Sequence, residues 1–350
     1  MSYSIVKMEP KIHRDAVQEL WARNLSRNFD SRFVWLYEEE PHRDTQTWLA
    51  IDETTQNVVG AGSVYPRDIY YFGKKITIGI AADFAINREH RVFGPALKLQ
   101  QTISQLGSNG YECIFAYPNK TSKGIFKRAG YQEIGHSSTW VKLLHTQHKL
   151  IQQVRIKLVA ALIAMLLDQL LIIFDKLRLM LHLKKTQAEV SDICENGFNE
   201  LWENAKASYS ITGERNPNYL NWRYADYFGH EYRFFCLYDH AKKNLLGYIV
   251  FYIHQGVAEV VDLFSLDQDA TLSILLLKFS LHMRKEGMDS ISLNFFGNAT
   301  FLNKIKKLLF FQRSNKRTCM MFIDNRISSN LRRELTEENN WFLFEGEMDL

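Results

Sequence analysis

The stretch Asp83-Phe-Ala-Ile-Asn-Arg-Glu-His90-Arg91-Val-Phe-Gly94-Pro-Ala96 decides the fold. β-Forming residues from Ile78 to Ile86 run into a tight turn, Arg91-x-x-Gly94-x-Ala96, and the segment from Pro95 to Ile103 places Leu97, Leu99 and Ile103 on a helix. Strand, glycine turn and helix start, in that order, make a cradle for an anion. Gly94 lets backbone approach a ligand closely, and the free N–H groups at the helix start, with the helix dipole behind them, favour phosphate or pyrophosphate.

Downstream, strand-like Cys113-Ile-Phe-Ala-Tyr117 leads through Pro118 into Asn119-x-x-Ser122-x-x-Ile125-Phe126-Lys-Arg-Ala-Gly130-Tyr131, a helix closed by glycine and followed by a new strand. Together the two segments resemble the GNAT superfamily of acyl-coenzyme A-dependent N-acyltransferases. The resemblance covers residues 3–144 in element order: a first strand at 4–8, a helix at 13–24, and strands at 47–52, 58–71 and 75–86 ahead of the turn. It implies a donor site for acetyl-coenzyme A or another acyl-coenzyme A. Arg91 and the backbone of Val92, Phe93, Gly94 and Ala96 would face the pyrophosphate, and the backbone of Phe84 and Ile86 would pair with the pantetheine arm. Asn119, Ser122 and Phe126 would line the thiol end. Pro95 has no N–H and offers one donor fewer than a glycine-rich turn.

Acyl transfer removes a proton from the attacking amine or hydroxyl and stabilises the departing thiolate. Within the resemblance, Asp83 is the carboxylate placed to act as base. Phe126 stands where the family often has a tyrosine acid, so either water or Tyr117 protonates the thiolate, or this unit binds coenzyme A without fast chemistry. Glu89 and His90 on the turn are secondary candidates.

Composition sets outer limits. A chain of 350 residues with 46% hydrophobic content suits more than one core, and a net charge of +4 with interspersed cations gives no electrostatic case for nucleic acid. Cys113, Cys194, Cys236 and Cys319 form no C-x-x-C pair, and no histidine pair has metal-ligand spacing. The expectation is therefore buried thiols, no metal, and a cytoplasmic protein without a signal peptide, membrane association being the alternative.

Between Gly135 and Gly197 neither glycine nor proline occurs, and residues 150–185 hold a dense apolar run flanked by Arg155, Lys157, Lys176, Arg178, Lys184 and Lys185. Ala161, Asp168, Asp175 and His182 recur every seven residues as a small-or-polar seam. A long helix or helical hairpin is expected, its apolar face covered by protein or a dimer partner, with contact to a membrane surface as the alternative. A central Asp168 argues against a membrane span.

After Gly197 the α/β pattern returns, preceded by an expected helix at 188–208. Strands at 232–239, 245–253 and 257–266, a helix at 271–286, a strand at 290–296, a helix at 299–309 and a strand at 318–324 repeat the first half. Asn298-x-x-Phe301 through Phe310 matches Asn119 through Tyr131 in spacing, with Leu309 where Gly130 stands, but Leu266-Asp-Gln-Asp-Ala270 has no glycine turn. The fold class is thus α/β (α+β): two tandem GNAT-like mixed-sheet units, residues 1–146 and a degenerate 188–350, joined by an apolar helical segment at 147–187. Trp222, Arg223 and Tyr224 offer stacking faces and a donor fork, which suit a sugar or carboxylated acceptor or, equally, an aromatic core. The expected activity is acyl transfer to an amino or hydroxyl group of a sugar, cell-envelope precursor or similar small acceptor. A Fem-like transferase using aminoacyl-tRNA and a non-catalytic scaffold in envelope or polysaccharide assembly are the alternatives. The last residues, 341–350, suit an edge strand or a partner-binding tail.

Overall fold

The computed structural model describes residues 2–25, 29–39, 45–91, 94–106, 110–147, 157–182, 185–194, 197–224 and 230–348. The first half runs β1 (Tyr3–Lys7), α1 (Pro10–Asn24), α2 (Phe29–Phe33), β2 (Gln46–Asp52), β3 (Val58–Tyr71), β4 (Lys74–Ile86), α3 (Pro95–Leu106), β5 (Cys113–Ala116), α4 (Lys123–Arg128) and β6 (Gln132–Leu143). Helix α5 (Lys157–Met180) follows. The remainder is β7 (Thr186–Ser191), α6 (Gly197–Ala205), β8 (Ile211–Gly213), α7 (Pro217–Arg223), β9 (Arg233–Asp239), β10 (Leu245–His254), β11 (Val257–Ser265), α8 (Ala270–Lys285), β12 (Ser290–Gly297), α9 (Ala299–Lys307), β13 (Phe311–Ile323), α10 (Ser329–Thr336) and β14 (Trp341–Phe344).

The strands among the described residues join one mixed sheet in the order β1-β2-β3-β4-β5-β13-β6-β12-β11-β10-β9-β7, with β8 and β14 off this path: β14 pairs with β12 and β8, and β8 with β3. That order mirrors itself: β1 to β5 at one end correspond to β7, β9, β10, β11 and β12 at the other. The centre is exchanged. β13 from the second half lies between β5 and β6, pairing Met320 with Ala116 and Thr318 with His136, while β6 lies between β13 and β12. Antiparallel pairing dominates, and the parallel β4–β5 pair has its counterpart in β11–β12.

The repeat extends to local geometry. Asn119 Oδ1 accepts from Ser122 N at 2.9 Å, closing the turn that leads into α4, and Asn298 Oδ1 accepts from Phe301 N at 2.8 Å, capping α9, so the same i to i+3 bond follows each strand. Gly130 (φ +99°) and Leu309 (φ +65°) close those helices in the same left-handed conformation.

Helix α1 covers one face of β3 and β4 through Val17, Leu20 and Trp21, and α3 covers the other through Leu99 and Ile103. In the second half, α8 buries Leu272, Leu275, Leu276 and Phe279 against β10 and β11. A central cluster draws on both halves, with Phe115, Phe296, Met321 and Trp341 in one core.

Three expectations are corrected. Residues 188–208 are not one helix, because 186–191 form an edge strand along β9 before α6 begins. The tail is neither edge strand nor free: β14 is fully buried, paired with β12 and β8. Helix α5 shows the reverse of the expected facing. Asp175 is buried against Lys142 (2.7 Å) and Arg284 (3.3 Å), and Asp168 accepts from Thr146 N and Oγ1 (both 2.9 Å), so the polar seam meets the protein. The apolar side faces outward. Among the described residues no helix is long and apolar enough to cross a membrane.

Candidate acyl-donor site

The site begins with a bulge. Ala61 pairs with Ala85 and Ser63 with Ala82, so Asp83 and Phe84 together oppose Gly62. Asp83 takes φ +50°, an unusual conformation for a side-chain-bearing residue. A Cβ at Gly62 would stand 2.8 Å from Ile103 and 3.2 Å from Phe84, so the glycine makes room for both. β4 and β5 pair at Gly79 and Ile80 and not beyond. Past that point a cavity of about 550 Å³ opens, walled by residues 81–84 and by Tyr117, Asn119, Ser122 and Phe126.

Asp83 is buried, and its carboxylate is committed. Arg32 Nε lies 2.9 and 3.2 Å from the two oxygens, Tyr37 donates its hydroxyl at 2.9 Å, and the Asp83 carbonyl accepts from Trp21 Nε1 at 2.9 Å. The Tyr37 hydroxyl also lies 2.7 Å from Ser63 Oγ, which meets Thr47 Oγ1 at 2.8 Å. Burial first, and then the Asp83 charge, push Tyr37 well above the usual phenol range, so it stays a donor. Arg32 comes from α2 and Tyr37 from the π-helical segment Val34–Glu38 that continues it, and no motif marks them in the sequence.

Tyr117 lines the cavity, and burial followed by the neighbouring Cys319 thiol raises its pKa well above the usual phenol range. Its proton is therefore retained at any ordinary pH. Phe126 is buried edge-to-face against Phe84 (5.7 Å) and Tyr131 (4.9 Å), and the Tyr131 hydroxyl is taken by Gln100 at 3.0 Å. Asn119 spends its Oδ1 on the N–H groups of Thr121 and Ser122 and on Ser122 Oγ at 3.1 Å, which fixes the corner where chain leaves β5 for α4.

The glycine turn lies outside the cavity lining. Gly94 has φ +88° and open space where a Cβ would be, leaving room for a ligand against the backbone. Ala96 is buried in the first turn of α3. Arg91 folds back, donating from Nε to the Ile86 carbonyl (3.1 Å) and from Nη2 to Asn24 Oδ1 (3.1 Å). Val92 and Phe93 lie outside the described residues. The structure thus brings Asp83, Phe84, Tyr117, Asn119, Ser122 and Phe126 together around one cavity, with Ile86, Arg91, Gly94 and Ala96 beyond its rim.

Sequence reasoning missed the opposite wall. Lys316, Arg317 and Thr318 reach the cavity on the exchanged β13, beside Lys120 and Lys123. Lys123 Nζ lies 3.1 Å from Thr318 Oγ1 and 2.7 Å from Glu133, which its charge and hydrogen bond hold below the usual carboxylate range.

In the second half the corresponding cleft is filled. β12 leaves β11 after Leu293, and β14 occupies the gap, with Phe344 opposite Phe295 and Phe342 opposite Gly297. A Cβ at Gly297 would fall 1.7 Å from the Trp341 carbonyl. The helix start there also holds its own anion: Asp267 Oδ1 accepts from Asp269 N (2.9 Å) and Thr271 N (3.0 Å).

Trp222 and Arg223 are engaged inside the protein. Trp35 and Trp222 stack at 4.6 Å, and each indole N–H donates to the other's carbonyl at 2.9 and 3.0 Å. Arg223 is buried over Trp35 and donates to the carbonyls of Gly346 and Met348. Tyr224 lines a separate cavity of about 540 Å³ with Tyr232 and Arg233. Beside them Glu347 bridges Arg67 (3.0 Å) and Arg215 (2.6 Å), and Arg215 also holds Asp262 at 2.9 Å. Two cations and two carboxylates balance in the interior, which is the condition for burying them.

No protein-family model matches the chain, and no curated protein matches it in sequence. Solved structures do match in shape. A probable N-acyltransferase from Enterococcus faecalis V583 superposes with a TM-score of 0.63 over 92% of this chain and 73% of its own, at 13% identity. A GCN5-related N-acetyltransferase from Anabaena variabilis gives 0.62 over 91% and 72%, at 14% identity. Saccharomyces cerevisiae N-myristoyltransferase with bound myristoyl-CoA gives 0.53 over 92% and 82%, at 10% identity. The bulged β4, its divergence from β5 and the asparagine turn after β5 belong to a chain with the fold of the GCN5-related N-acetyltransferases.

Proposed function

We propose that this protein is an acyl-coenzyme A-dependent acyltransferase acting on an amino or hydroxyl group of a small acceptor. The observation that carries the reading is the cavity opened where β4 parts from β5, beside the turn and helix start that suit pyrophosphate. Its size suits the arm and thioester of the donor, within the range of small-molecule sites. In this reading the backbone N–H groups at Gly94 and Ala96 hold phosphate, the β4 backbone near Phe84, past the last pair with β5, aligns the pantetheine amides, and Phe126 packs on the arm. Lys120 and Lys123 stand at the rim for the donor's remaining negative charge.

Tyr117 supplies the hydrogen bond to the departing thiolate. Its raised pKa makes that bond, rather than full transfer, its contribution, since a thiol titrates at about 8.5 and the proton would move uphill. The acceptor nitrogen or oxygen bonds to the acyl carbon as the carbon–sulfur bond breaks, and the proton the acceptor loses passes through solvent to the thiolate. We assign Asp83 a positioning role: pinned by Arg32 and Tyr37, it fixes the bulge that splays β4 from β5. The acceptor enters from the wall made by Leu25 on one side and Lys316 and Arg317 on the other. A carboxylate- or phosphate-bearing acceptor, such as an amino sugar derivative or envelope precursor, suits those cations. The organisation we propose is a donor-binding unit at 1–146, a helical connector at 147–187 and a second unit at 188–350 without a donor site.

Titrating the protein with acetyl-coenzyme A by calorimetry, beside Gly94→Glu, tests the reading. Binding of one donor per chain, abolished by Gly94→Glu in a variant that stays folded, is the expected result. A folded wild-type protein that takes up no acyl-coenzyme A of short or long chain would overturn it. The scaffold reading, which Phe126 favours by having no proton to give, would then stand first.

A further inference from the structure

Helix α5 wears its apolar side outward. Between Leu158 and Met180, eleven large apolar side chains are 38–73% exposed, including Leu166 and Leu170 at 62% each. Together they present on the order of 1,000 Å², where the largest patch on a typical monomer is about 300–600 Å². The side facing the protein is held by Ala164, Asp168 and Asp175, so the helix cannot roll to hide this surface without unpairing Lys142 from a buried carboxylate.

At about 100° per residue, Val159, Leu166, Leu170, Ile173 and Leu177 point away from the protein. Leu162 and Met165 on one flank and Leu167 on the other widen the apolar arc to about half the circumference. No charge interrupts it before Lys176. Lys176 and Arg178 then project to either side of the pole, both exposed, and Lys185 is exposed just past the helix end. A seam for a second helix would be narrower and would carry charges at its flanks, where this helix has leucine and methionine. A broad apolar arc with cations gathered at its C-terminal end matches acyl chains below and anionic headgroups beside that end.

We infer that α5 docks the protein on an anionic membrane surface, lying in the plane of the interface with its outward leucines among the acyl chains and Lys176, Arg178 and Lys185 at the headgroups. The inference is independent of the acyltransferase reading.

The test is sedimentation of the full chain with phosphatidylglycerol-containing and pure phosphatidylcholine vesicles, beside Leu166→Glu/Leu170→Glu and Lys176→Ala/Arg178→Ala, with sedimentation velocity in the absence of lipid. All the substituted side chains are exposed, so both variants should melt with the wild type. The proposal expects partition onto anionic vesicles roughly tenfold or more stronger than onto neutral ones. The double glutamate variant should lose it, and the double alanine variant should lose the anionic preference. No partition of wild type onto either vesicle overturns the proposal, and so does a lipid-free dimer that Leu166→Glu/Leu170→Glu dissociates, which would assign the surface to a second copy.

Discussion

Replacing Asp83 by Asn separates a positioning carboxylate from a catalytic base. The Arg32 and Asp83 side chains are 2% and 0% exposed, with Nε to Oδ1 at 2.9 Å. Neutralising Asp83 breaks the buried Arg32–Asp83 ion pair from one side, which costs about 3–5 kcal/mol. Arg32→Met should cost a similar amount by breaking the same pair from the other side. The double variant Asp83→Asn/Arg32→Met removes both charges together, so its cost should fall short of the sum by about 2–3 kcal/mol, the upper part of the range for residues in direct contact. Urea unfolding followed by tryptophan fluorescence, completed as a double-mutant cycle, measures all three. If Asp83→Asn unfolds within about 1 kcal/mol of wild type while acyl transfer disappears, the carboxylate is energetically free to take a proton and the positioning argument is refuted.

Gly297→Ala should be severe: at φ +140° its Cβ would fall 1.7 Å from the Trp341 carbonyl, and we expect a loss of about 3 kcal/mol or more with faster amide exchange at 341–344. Unchanged exchange there would show that β14 does not depend on that contact. Leu309→Gly should stabilise by about 0.5–1 kcal/mol, because the left-handed cost of roughly 1–2 kcal/mol at φ +65° exceeds glycine's extra chain entropy. A destabilised variant in thermal melts would contradict this. Acid should expose Asp239, whose carboxyl the Lys243 N–H (2.9 Å) and the Asn244 amide (2.7 Å) hold below its ordinary 3.8. Its folded pKa is lower than its unfolded one, so its contribution is complete above the ordinary carboxylate range and fades as pH falls through the lowered value. The stability gap between wild type and Asp239→Asn should close on acidification, and a gap constant down to the lowest pH would contradict the assignment.

What could be read in the chain was what repeats locally. The order of strands and helices around Gly94 and Asn119, the matching block at Asn298, and the polar seam of Asp168 and Asp175 are periodic or motif-like, and the structure keeps them. Less legible was anything set by partners distant in sequence. Nothing near Lys316 and Arg317 indicates that they face Tyr117, since that depends on β13 lying beside β5. Asp83 reads as an available carboxylate only until Arg32, more than fifty residues earlier, is seen to hold it. The seam on α5 was found, but its facing was inverted, because sequence gives the period of a helix and not the identity of its neighbour. Trp222 and Arg223 have the chemistry of a binding surface and the position of a stitch between halves, and chemistry alone does not separate the two.

The exchange of β6 and β13 bears on how the chain is made. On the ribosome, β5 emerges with β4 available on one side, but the strand for its other side is translated roughly two hundred residues later. Through that interval its backbone donors and acceptors along that edge are an open template, the kind of edge that pairs with neighbouring nascent chains. β6 waits almost as long for both of its neighbours. Contacts this remote close slowly. The nascent protein therefore needs that edge shielded during synthesis, and a fragment ending before β13 should associate with its own kind by borrowing the missing strand.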